Sequence, residues 1–369
     1  MSRLLSVEIK NFKVFDNLKV NSFNKNINFI YGKNNVGKTS LLEAIFLLLS
    51  YSQSQSDPSL LISNFNVILH SQFYNIINYS STESIFKSLW NTIFKNPEKN
   101  IELTVDLEDD SKLSLLISQG FNKNSGSREV VFKWNYTQGS KKESQTFQCN
   151  VEPYINPNSS LYPLPLPPHK VSLPEEYNKH NINKEFNFFY MPSTFSFGSL
   201  STNKIYGDIV NANKKKEFID KLKIVEHDIE EVEIIPSGLN TVVIRKKNIL
   251  LPISQMGEGF LRVFYIIGLS LTHENGIILI DEIENGLHWS IQKKIFENIL
   301  RLSRELNIQY FIATHSAEFV EEGFEVLKDD DVNSIGAIRI IKKDNDIIYT
   351  LHLDGKDLKD LIEGNAEFR

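Results

Sequence analysis

The stretch GKNNVGKT, residues 32–39, decides the fold together with a second run, GIILIDEIENGLH, at 276–288. The first fits G-x-x-x-x-G-K-[ST] in the setting that gives the pattern meaning. Before it stands the apolar run NINFIYG at 26–32; after it Leu41, Leu42, Ile45, Leu48 and Leu49 recur at helical spacing. A strand therefore turns into a helix here. Gly32 and Gly37 free the backbone N–H groups of Lys33, Asn34, Asn35 and Val36 to wrap phosphate oxygens. Lys38 reaches the outer phosphates, Thr39 offers a hydroxyl to Mg²⁺, and Ser40 completes the binding set at the helix amino terminus.

The second run is β-branched and leucine-rich and ends in two acids, as a buried parallel strand does where it meets a phosphate crevice. Asp281 would hold Mg²⁺ through water, and Glu282 would orient an attacking water. FIATHS, 311–316, repeats the design, with Thr314, His315 and Ser316 at the tip of an apolar strand. Between these runs, ISQMGEGFLRVFYIIGL at 253–269 is a glycine-containing turn opening an apolar helix. The run Asp329, Asp330, Asp331 reads as a solvated turn rather than a metal cluster.

With 369 residues, the chain has room for one large nucleotide-type domain with insertions or for two modest domains. Its 41% hydrophobic and 23% charged residues exclude fibrous and disordered classes. Apolar runs such as AIFLLL at 44–49 fall far short of the roughly 18 residues that span a bilayer. Glu8 and Lys10 interrupt the amino terminus before a secretory segment could form, so the expected location is cytoplasmic, with no membrane partner. Cys149, the single cysteine, excludes an intramolecular disulfide and reads as a small buried residue. A net charge of −6 means that any DNA contact must be a local patch. KKK at 214–216 and RKK at 245–247 are such runs, though charge runs are more often solvated faces.

Residues 5–10 alternate Leu5, Val7, Ile9 with polar partners, which predicts a half-buried strand. Ile101, Leu103, Val105 and Leu107 alternate, turn at EDDS, and return through Leu113, Leu115 and Ile117; Val130, Phe132, Trp134 and Tyr136 repeat the pattern. Residues 60–152 thus read as an antiparallel β lobe with a helical start. Seven prolines between Pro153 and Pro174 predict an extended connector without regular structure. A strand at NFFYM, a polar helical region and short strands at 232–235 and 241–253 follow.

The order P-loop, hhhhDE, hhhTHS resembles that of ABC-type ATPases. IKNFKVFDNL at the amino terminus, DEIENGLHWS and the terminal NAEFR are similar to the OLD (overcoming lysogenisation defect), RecF and SMC group over residues 1–50 and 225–320. Lys13 stands where many relatives carry Arg, Trp289 where proline is common, and no Q-loop glutamine can be assigned. The resemblance implies an α/β, ABC-type P-loop NTPase with an inserted antiparallel β lobe and a helical segment. Residues 1–59 would begin the ATPase core, 60–185 form the lobe and connector, 186–240 the helical segment, and 241–369 complete the core. It also implies that His315 contacts the γ-phosphate. Gly257 and Gly259 would present N–H groups to ATP bound on a second subunit, with Gly257 where the usual signature has serine and the part of Ser254 open.

The same resemblance implies an ATP hydrolase that forms a homodimer or higher homo-oligomer and serves prokaryotic phage defence. Only 54 residues follow His315, too few for a fused TOPRIM domain, so a TOPRIM-type nuclease in trans is the expected effector, with DNA a further candidate partner. A RecF-like DNA-repair clamp is the alternative. A transporter subunit fits the β and proline-rich insertion poorly, and a GTPase is disfavoured by the lack of an NKxD motif after the P-loop.

Overall fold

The computed structural model describes residues 3–54, 93–122, 127–150, 171–172, 182, 185–193, 199–235, 241–325, 327, 329–343 and 346–364. Two strands, β1 (Leu4–Phe12) and β2 (Phe15–Val20), form a tight antiparallel hairpin through Lys13, which takes a positive φ of 51°. A register shift between Leu4 and Ser6 turns Leu4 inward and leaves Leu5 half-buried, so the expected alternation holds only from Val7 onward. Next, β3 (Ile27–Tyr31) is buried along its whole length and runs into the P-loop and α1 (Lys38–Leu49). A further turn of helix, α2 (Tyr51–Ser54), ends this segment.

The predicted hairpins form as β4 (Ile101–Leu107), β5 (Ser111–Asn122) and β6 (Ser127–Gln138), followed by β7 (Lys141–Asn150). They are not a separate sheet. β4 pairs with β1, so the order β2-β1-β4-β5-β6-β7-β8 makes one seven-stranded sheet out of the amino terminus and the lobe. Here β8 is Val171–Ser172, which pairs with β7 inside the stretch expected to lack regular structure; it lies beyond Pro168, where backbone N–H groups are available again. The helical start of the lobe, the rest of the proline-rich connector and the Cys149 side chain lie outside the described residues.

The second half supplies β9 (Phe188–Met191), α3 (Ser199–Asn211), α4 (Lys215–Leu222) and the strands β10 (Ile229–Ile235), β11 (Thr241–Lys246) and β12 (Ile249–Pro252). β10 and β11 pair antiparallel, so the boundary expected at residue 240 divides a three-stranded sheet. Then come α5 (Glu258–Thr272), β13 (Ile277–Ile280), α6 (Trp289–Glu305), β14 (Gln309–Ala313), α7 (Ala317–Phe324), α8 (Asp329–Val332), β15 (Ile335–Lys342), β16 (Ile348–Asp354) and α9 (Gly355–Glu363).

Six strands form the sheet that carries the P-loop, in the order β16-β15-β3-β14-β13-β9, parallel except for the β15–β16 hairpin. Its central strands β3, β13 and β14 read as short, largely apolar runs because both faces are covered, whereas no residue of the edge strand β16 is buried. Ile30, Leu279 and Phe311 face α1 and the seven-stranded sheet; Phe29, Ile278, Ile280 and Ile312 face α5, α6 and α7. Sandwiched between two sheets, α1 buries almost every side chain, Glu43 included, and is not the one-sided helix its leucines suggest. Glu43 pairs with Lys13, whose side chain is only 6% exposed, yet burial still raises the Glu43 carboxyl to a pKa of about 7. The Trp134 indole N–H donates to the Leu48 carbonyl at 3.1 Å and ties the lobe to the end of α1.

Candidate functional site

The carboxyl ends of β3, β14 and β13 meet around the amino terminus of α1, the place where open α/β sheets bind ligands. Gly37 takes φ 106°, and a Cβ there would lie 2.5 Å from the Phe15 ring, so the β1–β2 turn closes over the P-loop as far as a bare glycine allows. Lys38 folds back over the loop, its ammonium donating to the carbonyls of Gly32 at 2.7 Å and Lys33 at 3.0 Å. Burial pulls its pKa down to about 8, against the opposing pull of Asp281, Glu284 and Glu282. A cation so poorly solvated is poised for an anionic ligand.

Thr39 Oγ1 donates to Asp281 Oδ2 at 3.0 Å, joining the two motifs that decided the fold. Asp281 is 1% exposed, and burial raises its carboxyl above the usual range despite hydrogen bonds from Thr39 and Ser193. A hydroxyl and a carboxylate in this pairing are hard oxygen donors that suit Mg²⁺. The next residue, Glu282, turns sharply out of β13 with φ 48°, unusual for a non-glycine residue. Arg262 of α5 holds that turn, its guanidinium donating to the carbonyls of Asp281 at 2.7 Å and Glu282 at 2.6 Å. The Glu282 carboxylate accepts from Asn285 Nδ2 at 2.6 Å and lies 3.7 Å from His315 Nε2. Glu284 in turn fixes the tip of β14, accepting from Thr314 Oγ1 at 2.9 Å and from the His315 backbone N–H at 2.6 Å.

The glycine turn at 257–259 opens α5. A Cβ on Gly259 would lie 2.4 Å from the Gly286 carbonyl oxygen, so this turn and the loop after Glu282 are in backbone contact. Gly257 has nothing within 4 Å of such an atom and faces open space. Lys38, Thr39, Asp281, Glu282 and His315 are thus brought together, while Gly257 stands at the rim. Sequence reasoning missed three residues here. Arg262 lies within the quoted 253–269 stretch but was given no role there, and Glu284 hides in a loop of several acids. Ser193 follows β9, whose pairing with β13 in register Met191 to Ile280 delivers it to Asp281; no sequence signal marks it.

Five of the six cations in the two basic runs pair within the chain. Lys214 donates to the Leu271 carbonyl and Glu274, Lys215 pairs with Glu231, Arg245 with Glu233, Lys246 with Glu226 and Lys247 with Asp228. Asp331 of the acidic run pairs with Arg304, and no group of three potential metal ligands occurs among the described residues. No helix among them is long and apolar enough to cross a membrane.

Over 375 aligned residues the chain is 24% identical to a Helicobacter pylori protein named ATP/GTP phosphatase, covering 96% of each. Among solved structures it is similar to an SmcHead bound to the C-winged helix domain of ScpA, at 13% identity, 95% and 97% coverage and TM-score 0.49. A Pyrococcus furiosus Smc head with an extended coiled coil gives 12% identity, 99% and 100% coverage and TM-score 0.48. The family described as "AAA domain, putative AbiEii toxin, Type IV TA system" matches residues 27–321. With that match spanning most of the chain and the P-loop, Asp281 and Glu282 converging in an α/β sheet, the chain belongs to this AAA-domain family and is an ATP hydrolase of the P-loop type.

Proposed function

We propose that the chain is a switch that dimerises around Mg²⁺-ATP and controls a separately encoded effector, a TOPRIM-type nuclease, in defence against phage. The observation that carries the hydrolytic core of this reading is the Thr39–Asp281 contact, with Lys38, Glu282 and His315 around it. Lys38 and the backbone N–H groups of residues 32–40 bind the phosphates. Thr39 and Asp281 hold Mg²⁺, which when bound neutralises charge on the outer phosphates. Glu282 orients the attacking water, and His315 contacts the γ-phosphate.

Gly257 and Gly259 support the dimer, because the first faces open space at a helix amino terminus that carries no side-chain cap among the described residues. A protein effector is favoured over a DNA clamp because five of the six cations in the two basic runs are engaged by the chain itself. Light scattering on the Glu282→Gln protein with and without Mg²⁺-ATP tests the switch: the mass doubles with ATP. A monomeric mass in both conditions refutes it.

A further inference from the structure

From Phe260 to Leu271, α5 is apolar except at Arg262 and Ser270, and Arg262 is only 2% exposed. A leucine there would fill the core without taking a guanidinium out of water, so packing alone does not account for the arginine. Its hydrogen bonding is also incomplete, since the buried Nε has no partner among the described residues. What the side chain does reach is two backbone carbonyls, those of Asp281 and Glu282, both from Nη2.

Those carbonyls lie just past the sheet. The ladders that pair β13 with β14 and with β9 end at Ile280, and Glu282 then turns with φ 48°. A left-handed conformation at a residue with a Cβ relaxes to negative φ unless its surroundings hold it. Arg262 supplies that hold at one end of the 281–286 segment. Gly259, three residues before it on the same face of α5, touches Gly286 at the other end.

The two neighbouring acids depend on this grip to different degrees. Asp281 keeps anchors of its own: its N–H donates to the Met191 carbonyl at 2.9 Å, and its carboxylate accepts from Thr39. The Glu282 carboxylate is held by Asn285, inside the same segment, and lies 3.7 Å from His315 Nε2. A backbone flip at Glu282 would therefore carry that carboxylate away and leave the Thr39–Asp281 pair in place.

We propose that Arg262 is a positioning residue for hydrolysis: its grip on the Asp281 and Glu282 carbonyls fixes the backbone that aims the Glu282 carboxylate, and it takes no part in holding nucleotide or metal. The proposal rests on the reading of Glu282 as the residue that orients water. Arg262 acts through Glu282, so loss of the grip lowers turnover and spares binding.

The test compares the wild type with Arg262→Met, Arg262→Lys, Glu282→Gln and the Arg262→Met/Glu282→Gln double variant. Each is read by thermal melt, by calorimetric titration of Mg²⁺-ADP and by steady-state ATP hydrolysis. Arg262→Met should bind Mg²⁺-ADP within about threefold of the wild type while kcat falls by about thirtyfold or more. Arg262→Lys, whose single ammonium replaces a planar fork, should lose about threefold to tenfold in kcat at unchanged affinity, and it carries the comparison, alone and with Glu282→Gln, if the Met variant does not fold. In the Glu282→Gln background the arginine should no longer matter, so the double variant should turn over within about threefold of Glu282→Gln alone. A purely structural role would instead multiply the two losses. Wild-type kcat in the arginine variants, Mg²⁺-ADP affinity falling in step with kcat, or multiplied losses in the double variant each overturn the inference. If Glu282→Gln alone hydrolyses ATP at the wild-type rate, the reading of Glu282 fails and takes this inference with it; a loss in Glu282→Gln beside full turnover in the arginine variants sinks the inference alone.

Discussion

Lys38 should make nucleotide binding depend on pH above neutrality. In the free protein its ammonium is buried against the P-loop carbonyls and its pKa is lowered to about 8, from 10.5. Bound phosphates restore a counter-charge and raise it again, so binding above pH 8 must take up a proton. With a pKa of about 8, roughly nine tenths of the side chain is protonated at pH 7 and about one tenth at pH 9. If phosphate engages only the ammonium form, the affinity is full below pH 8 and falls as pH rises, by about tenfold between pH 7 and 9. Titration of Mg²⁺-ADP into the wild type at pH 7, 8 and 9, in two buffers of different ionisation enthalpy, reads both the affinity and the proton uptake. The Lys38→Ala protein should bind far more weakly and show no such trend. A wild-type affinity flat from pH 7 to 9, with no proton taken up at pH 9, would refute the reasoning.

Two further outcomes follow from the packing. Glu43→Gln should destabilise the fold by about 3–5 kcal/mol, because it strands the buried Lys13 ammonium, whereas Lys13→Met/Glu43→Leu should recover most of that loss; thermal melts of both decide it. Gly259→Ala drives a methyl into the Gly286 carbonyl oxygen and should abolish ATP-dependent dimerisation while costing about 1–3 kcal/mol of stability; a dimer of unchanged mass would show that the turn is not at the interface.

What was legible in the sequence is what local patterning encodes. The P-loop, the 276–288 strand and the FIATHS tip are each a buried strand ending in chemistry, and a buried strand must be an unbroken apolar run. Long-range pairing has no such mark. Nothing in Leu103 or Val105 says that β4 adds to β1 instead of founding its own sheet, and nothing in Leu5 announces the register shift beside it. Ser193 reaches Asp281 only because β9 and β13 pair in parallel across some ninety residues of sequence. Arg262 reads as an intrusion in an apolar helix until the carbonyls of Asp281 and Glu282 are seen to need a donor. The basic runs read as solvated faces from the sequence, but which acids they meet does not show there, since Glu226, Asp228, Glu231, Glu233 and Glu274 lie on neighbouring elements that composition cannot align.

The division of labour between Asp281 and Glu282 is the centre of the account, and one comparison addresses it: Mg²⁺-ATP affinity and steady-state hydrolysis, measured side by side for the wild type and Glu282→Gln. The substitution keeps the size of the side chain and leaves the Thr39–Asp281 contact intact. Affinity should stay within about threefold, while turnover falls by about a hundredfold or more because the group that orients water is gone. Turnover at the wild-type level, or affinity and turnover falling by the same factor, would contradict it.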